Sequence, residues 1–301
     1  MLPPELNSRP ELVTQPELVA DPPCDLGENP LWHPLEQRLY WTDITRGRLF
    51  RYDPATGQHE QFYQGEPVGG FTFQADGALL LFMLRGRIAI WRRGELETVV
   101  DEIPAEREGR FNDVIADPVG RVFCGTLSLP VGARPGRLYR LDTDGSLHVV
   151  LEGVTVSNGM GFTSDRRHMY YTDSSPRQIY LFDYDEATGA LSNQRIWLQV
   201  PEGEGVPDGM TVDAQDSIWS ARWDGGALYR YTPEGIEQQR IPFPARKVSS
   251  AVFGGSELSD LYITTALSGG DRSAEGAGAG GLFRLRPGVC GLPEFFSRVN
   301  I

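Results

Sequence analysis

The chain has almost no lysine. Its 28 basic residues include a single one, Lys247, and the rest are arginine. Amine chemistry through a Schiff base therefore has one candidate and no supporting neighbours. Cysteine is nearly as scarce. Cys24, Cys124 and Cys290 are far apart and form no C-x-x-C pair, which argues against a thiolate zinc site. Three unframed cysteines suit a reducing compartment, with a Cys24–Cys290 pairing as the weaker alternative. The four histidines, His33, His59, His148 and His168, have no metal-ligand spacing, and His33 falls in the turn Trp32-His33-Pro34. No G-x-S-x-G elbow occurs. No run approaches 18 consecutive apolar residues, so no membrane-crossing helix is expected. Met1-Leu2-Pro3-Pro4-Glu5 has neither a basic start nor an apolar core, so no signal peptide is expected. A cytoplasmic location follows as the expectation. There is no basic stripe, and a net charge of −13 with a pI near 4.8 repels a nucleic-acid backbone. Sustained helical periodicity is also missing.

Glycine and proline are abundant instead, at 35 and 22 residues, as many tight turns between short strands require. One phrase returns six times at intervals of 41 to 50 residues. Its copies begin at Glu28-Asn29-Pro30, Gly69-Gly70-Phe71, Asn112-Asp113-Val114, Asn158-Gly159-Met160, Asp208-Gly209-Met210 and Ser249-Ser250-Ala251. Alternating, aromatic-rich runs follow each copy, such as Arg38–Asp43 and Gly47–Asp53 in the first unit, or His168–Asp173 and Gln178–Tyr184 in the fourth. These runs read as strands. Asp76-Gly77, Asp144-Gly145 and Thr188-Gly189 supply hairpin chemistry between them.

The period and the strands predict an all-β fold, a six-bladed β-propeller with a central metal site. Pro16–Ala20 is expected to be the outer strand of the last blade, closing the ring and removing free edges. Residues 1–12 read as a loose tail, and 13–301 as one propeller domain. The Gly-rich segment 268–280 reads as a flexible surface loop.

Equivalent residues of a propeller converge on its axis. The leading positions of four phrases would then bring Glu28, Asn112, Asn158 and Asp208 together. These are oxygen donors only, and two carboxylates with two amides suit a hard divalent cation. The equivalent Gly69 and Ser249 are small and are expected to leave room for water and substrate. Asn-Gly and Asp-Gly are ordinary turn dipeptides too, and any one of these residues alone reads more readily as a turn. Their coincidence at one repeat position favours the site. Arg110 lies two residues before Asn112, on the same strand face, and its fork suits carboxylate or hydroxyl groups. Asp113 is expected to point away, and Asp173 to cap a turn.

Leu26-Gly27-Glu28-Asn29-Pro30-Leu31-Trp32, Arg110-Phe111-Asn112-Asp113, Ser157-Asn158-Gly159-Met160 and Pro207-Asp208-Gly209-Met210, in that order, resemble the gluconolactonase / senescence marker protein / luciferin-regenerating enzyme family, which includes regucalcin. The resemblance runs from about Cys24 to the end of the sixth unit. It implies a six-bladed propeller with one divalent ion in the channel, held by Glu28, Asn158 and Asp208. It also implies that Arg110 and Asn112 contact substrate. The implied activity is hydrolysis of a sugar lactone, with the metal as Lewis acid and Asp208 as general base. Ca2+ is the first expectation for the ion, with Zn2+, Mn2+ or Mg2+ as alternatives. The family's animal sugar lactonases carry an acidic substrate contact soon after a Gly-Thr-Met motif. Here Gly125-Thr126-Leu127-Ser128-Leu129-Pro130-Val131 carries none. A phosphotriesterase or arylesterase on the same scaffold and a non-catalytic calcium-binding propeller are the alternatives. The expected partner is a small sugar lactone, with no nucleic acid or membrane, and the expected state is a monomer or weak dimer.

Overall fold

Alternation of apolar and polar residues, punctuated by turn dipeptides, yields 24 strands among the described residues of a computed structural model, which describes residues 13–300. The expected tail, 1–12, lies outside them. The strands form six antiparallel four-stranded sheets. Five sheets are continuous in sequence, and the sixth pairs Val13–Ala20 with Leu282–Arg286. The ring is thus closed by the segment expected to close it. Glu17 faces Arg284 across this junction, with an ion pair of 2.7 Å. The register shifts around Pro16, where a residue without an N–H belongs on an outer strand. No described helix is long and apolar enough to cross a membrane.

The innermost strands of blades one to six are Gly27–His33, Val68–Phe73, Gly109–Ala116, Ser157–Phe162, Val206–Val212 and Val248–Gly254. They are buried almost throughout. The core is a ring of separate clusters at the blade interfaces, two of them between blades four and five. Phe71, Leu49 and Tyr63 join blades one and two, Phe123, Met160 and Tyr171 join three and four, and Trp32 stacks on Tyr262 between one and six. Each fully buried Phe or Leu contributes about 1.5–3 kcal/mol, so the closed ring is held by contacts a lone blade cannot make.

The stretch 287–300 belongs to no blade. It crosses one face as a strap. Gly291 N–H donates to Leu258 O at 2.8 Å, Ala214 N–H to Cys290 O at 2.9 Å, Ser297 N–H to Phe73 O at 2.8 Å and Arg298 N–H to Gly120 O at 2.8 Å. All three cysteines are free, Cys24 buried and Cys290 exposed on the strap, so the Cys24–Cys290 alternative is not realised. The 268–280 segment is more than a linker. It holds a short helix, Arg272–Glu275, whose N-cap Asp271 accepts from the Ser273 and Ala274 N–H groups. A bridge also joins Gly276 to Ala245.

Candidate active site

Each innermost strand carries a register shift at the repeated phrase. The shifts fall between Glu28 and Leu31, Val68 and Gly70, Phe111 and Val114, Asn158 and Met160, Pro207 and Met210, and Val248 and Ser250. A bulge re-aims the side chain that it contains, and six bulges at one level point toward the axis. Glu28, Arg110, Asn112, Asn158 and Asp208 consequently line one cavity of about 520 Å³. All five are buried. The apolar wall comes from Leu26, Leu127, Val131, Val156, Val206 and Trp223.

A hydrogen-bond relay crosses three blades at the floor of the cavity. Arg110 Nη1 donates to Asn112 Oδ1 at 2.5 Å, and Asn112 Nδ2 donates to Asn158 Oδ1 at 2.8 Å. Asn158 Nδ2 donates to Ser174 Oγ at 2.8 Å, and Ser174 Oγ donates to Pro207 O at 2.7 Å, beside Asp208. The relay fixes both amide orientations, because each NH2 end is committed to a named acceptor. Sequence reasoning missed Ser174. Its only signal is its place after Asp173 in a Ser-Ser-Pro turn.

Charge is unbalanced here. Burial pushes the Glu28 carboxyl well up, and the Asp208 and Asp113 charges add to this. Burial followed by Asp113 pushes Asp208 well up, against the pull of Arg110. Burial raises Asp113 to about 7 although Arg110 opposes it, and burial lowers Arg110 to about 10. Three buried carboxyl groups lie within electrostatic reach of one guanidinium. The deficit of two positive charges matches a divalent cation. Glu28 Oε2 is buried with no hydrogen-bond partner, an acceptor that such an ion would satisfy. Among the described residues no three His, Cys, Asp or Glu side chains alone are placed to hold a metal. A cage here must include amide oxygen, and an all-oxygen donor set fits a hard cation.

Asp113 does not line the cavity, although its buried charge still acts on Glu28, Asp208 and Arg110. Two expectations need correction. Gly69 and Ser249 do not make room for substrate, since neither lines the cavity. A Cβ on Gly69 would lie 1.9 Å from Phe111 O, so this glycine lets blades two and three approach. Ser249 Oγ donates to Gly27 O at 2.5 Å and joins blade six to blade one. His33 ends a strand rather than lying within a turn, and its Nδ1 accepts from Glu36 N–H at 3.1 Å. Asp173 does cap a turn, accepting from the Thr155 and Val156 N–H groups.

A six-bladed propeller with carboxylate, amide and guanidinium groups converging on one mouth of its channel defines the class. Residues 26–267 match the family model described as SMP-30/Gluconolactonase/LRE-like region. The chain belongs to that family. It is 49% identical over 290 residues to pentonolactonase XacC of Haloferax volcanii, covering 93% of this chain and 97% of the relative. It is 35% identical over 278 residues to 6-deoxy-6-sulfogluconolactonase of Pseudomonas putida, covering 90% and 94%. A solved luciferin-regenerating enzyme superposes with a TM-score of 0.87 at 26% identity, covering 94% of this chain and all of that one.

Proposed function

We propose that the protein is a divalent-metal-dependent hydrolase that opens a sugar lactone to the aldonic acid. The observation that carries this reading is the uncompensated buried charge around Glu28 and Asp208, with the orphaned Glu28 Oε2 at the floor of a sugar-sized cavity. Two lactonases with different sugars among the relatives support the reaction class.

Glu28, Asn158 and Asp208 would hold the cation, with Ca2+ first among hard divalent ions and Mg2+, Mn2+ or Zn2+ as alternatives. When bound, it supplies Lewis-acid polarisation of a carbonyl oxygen. The chain's own groups do the rest. Arg110 and Asn112 orient lactone hydroxyls, Asn112 already held by Arg110 and Asn158. One carboxylate oxygen of Asp208 takes a proton from the attacking water. The apolar wall limits bulk water around the reacting carbonyl. Lactone opening proceeds in water unaided, so a barrier reduction on the order of 8 kcal/mol, the low end for enzymes, is enough.

The test is a pH-stat assay of aldonolactones, aryl esters and phosphotriesters with the same protein loaded in turn with Ca2+, Mg2+, Mn2+ and Zn2+. Lactone opening well above the buffer rate with at least one ion, and little turnover of the other two classes, is expected. A buffer-level lactone rate with all four ions rejects the reading. Preferred phosphotriester turnover replaces it with the rival hydrolase.

A further inference from the structure

The sole lysine plays no part in the chemistry above, yet it lies against a residue that lines the cavity. Lys247 directly precedes the innermost strand of blade six, and its side chain is about one-tenth exposed. Its Nζ is 2.6 Å from Glu275 Oε2 and 3.1 Å from Asp224 Oδ1, and it lies 5.6 Å from the centroid of the Trp223 ring. Glu275 is also buried. One ammonium thus ties together three segments: the end of the second strand of blade five, the start of blade six, and the short helix inside the 268–280 loop.

Two of those segments reach the cavity. Trp223 lines it, and Ser268 at the start of the loop lines it as well. Trp223 pairs in register with Val206, two residues before Asp208. This indole borders the same cavity as Glu28, Asn158 and Asp208. Sugar rings present C–H edges between their hydroxyls, and aromatic faces are the usual partners for such weakly polar surface. Everywhere else the chain uses arginine for its side-chain cations. A compact ammonium with three donors satisfies two carboxylates and a ring face in a space where a planar fork imposes its own geometry.

We infer that Trp223 is a substrate-contacting wall that packs on the C–H face of the lactone ring, and that Lys247 is a positioning residue acting through it by pinning the indole. The inference rests on the lactonase reading, and the experiment separates the two.

The protein is loaded with the most active divalent ion and assayed on a pentono-1,4-lactone and glucono-1,5-lactone as wild type, Trp223→Ala, Trp223→Phe, Lys247→Met, Lys247→Arg, and each lysine variant combined with Trp223→Ala. Trp223→Ala should raise KM roughly tenfold with kcat within about threefold, and Trp223→Phe should restore most of the KM. Lys247→Met should raise KM about fivefold in the wild-type background and leave it nearly unchanged in the Trp223→Ala background, the signature of action through one residue. Should Lys247→Met not fold, Lys247→Arg, which keeps the charge, carries the same cycle with a smaller KM change. An unchanged KM in Trp223→Ala, or lysine effects that multiply independently of Trp223, overturns the inference while leaving the lactonase intact. A wild type that opens neither lactone overturns both.

Discussion

At one end of the central channel four of the innermost strands present a carboxylate or an amide; at the other end four of the six finish in an aromatic or aliphatic side chain. The first end opens into the cavity over Glu28, Asn158 and Asp208. The second is crossed by the strap, where Phe296 packs against Phe73 and His33, Phe295 against Phe162, and Leu292 against the cluster that holds Met210 and Val212. A smaller cavity of about 170 Å³, bordered by Ile115, Phe162 and Glu294, lies under the strap. Both ends use six-fold convergence. One concentrates like charge, which the proposed cation would balance, and the other is covered by the chain's own strap. The difference assigns chemistry to the first end and closure to the second.

The comparison can be broken by exchanging the consequences of mutation at the two ends. The largest effect belongs to Asp208→Asn. Loss of the proposed proton-accepting carboxylate should lower lactone kcat about 10²–10⁴-fold, while circular dichroism and the melting midpoint stay near wild type. A comparable loss from Phe296→Ala would dissolve the distinction. Gly69→Ala should come next. Its Cβ meets the Phe111 backbone, and forced separation of blades two and three should cost on the order of 3 kcal/mol in a denaturant titration. Phe296→Ala follows at about 2 kcal/mol, since a half-buried ring gives less than the ~4 kcal/mol of a fully buried one. Its KM and kcat should remain within about twofold of wild type.

The smallest effect sharpens the far end. Burial raises the Glu294 carboxyl to about 7. A raised folded-state value means that the protonated form favours folding. That stability is fully present below the unfolded value near 4.5 and is lost as pH rises through about 7. Glu294→Gln should therefore melt a little higher than wild type at pH 8 and together with it at pH 4. Partial solvent contact keeps the difference small. A variant less stable at pH 8 would mean that the charged carboxylate has a stabilising role.

Legibility in the sequence follows the same division. The repeated phrase is local and periodic, so the blades, the closing strand and the convergence of Glu28, Asn112, Asn158 and Asp208 could be read from spacing. Arg110 followed from its position relative to Asn112. Asp113 stays off the cavity wall as expected, but its electrostatic reach to Glu28 and Asp208 was not legible, because no single residue type announces the bulge that sets it. The strap was invisible because it is irregular and occurs once, although Leu292, Phe295, Phe296 and Val299 after the final strand were an apolar surplus needing a partner. Ser174 and the Lys247–Glu275 pair depend on contacts between segments far apart in the chain, which composition and spacing do not encode.

The central claim is that oxygen donors at the open end share one divalent cation. Anomalous diffraction from crystals of the wild-type protein grown with Mn2+ tests it most directly. One strong peak within coordination distance of Glu28, Asn158 and Asp208, absent in Asp208→Asn crystals, is the predicted result. A map without a peak there, or with the three side chains directed to separate partners, would contradict it.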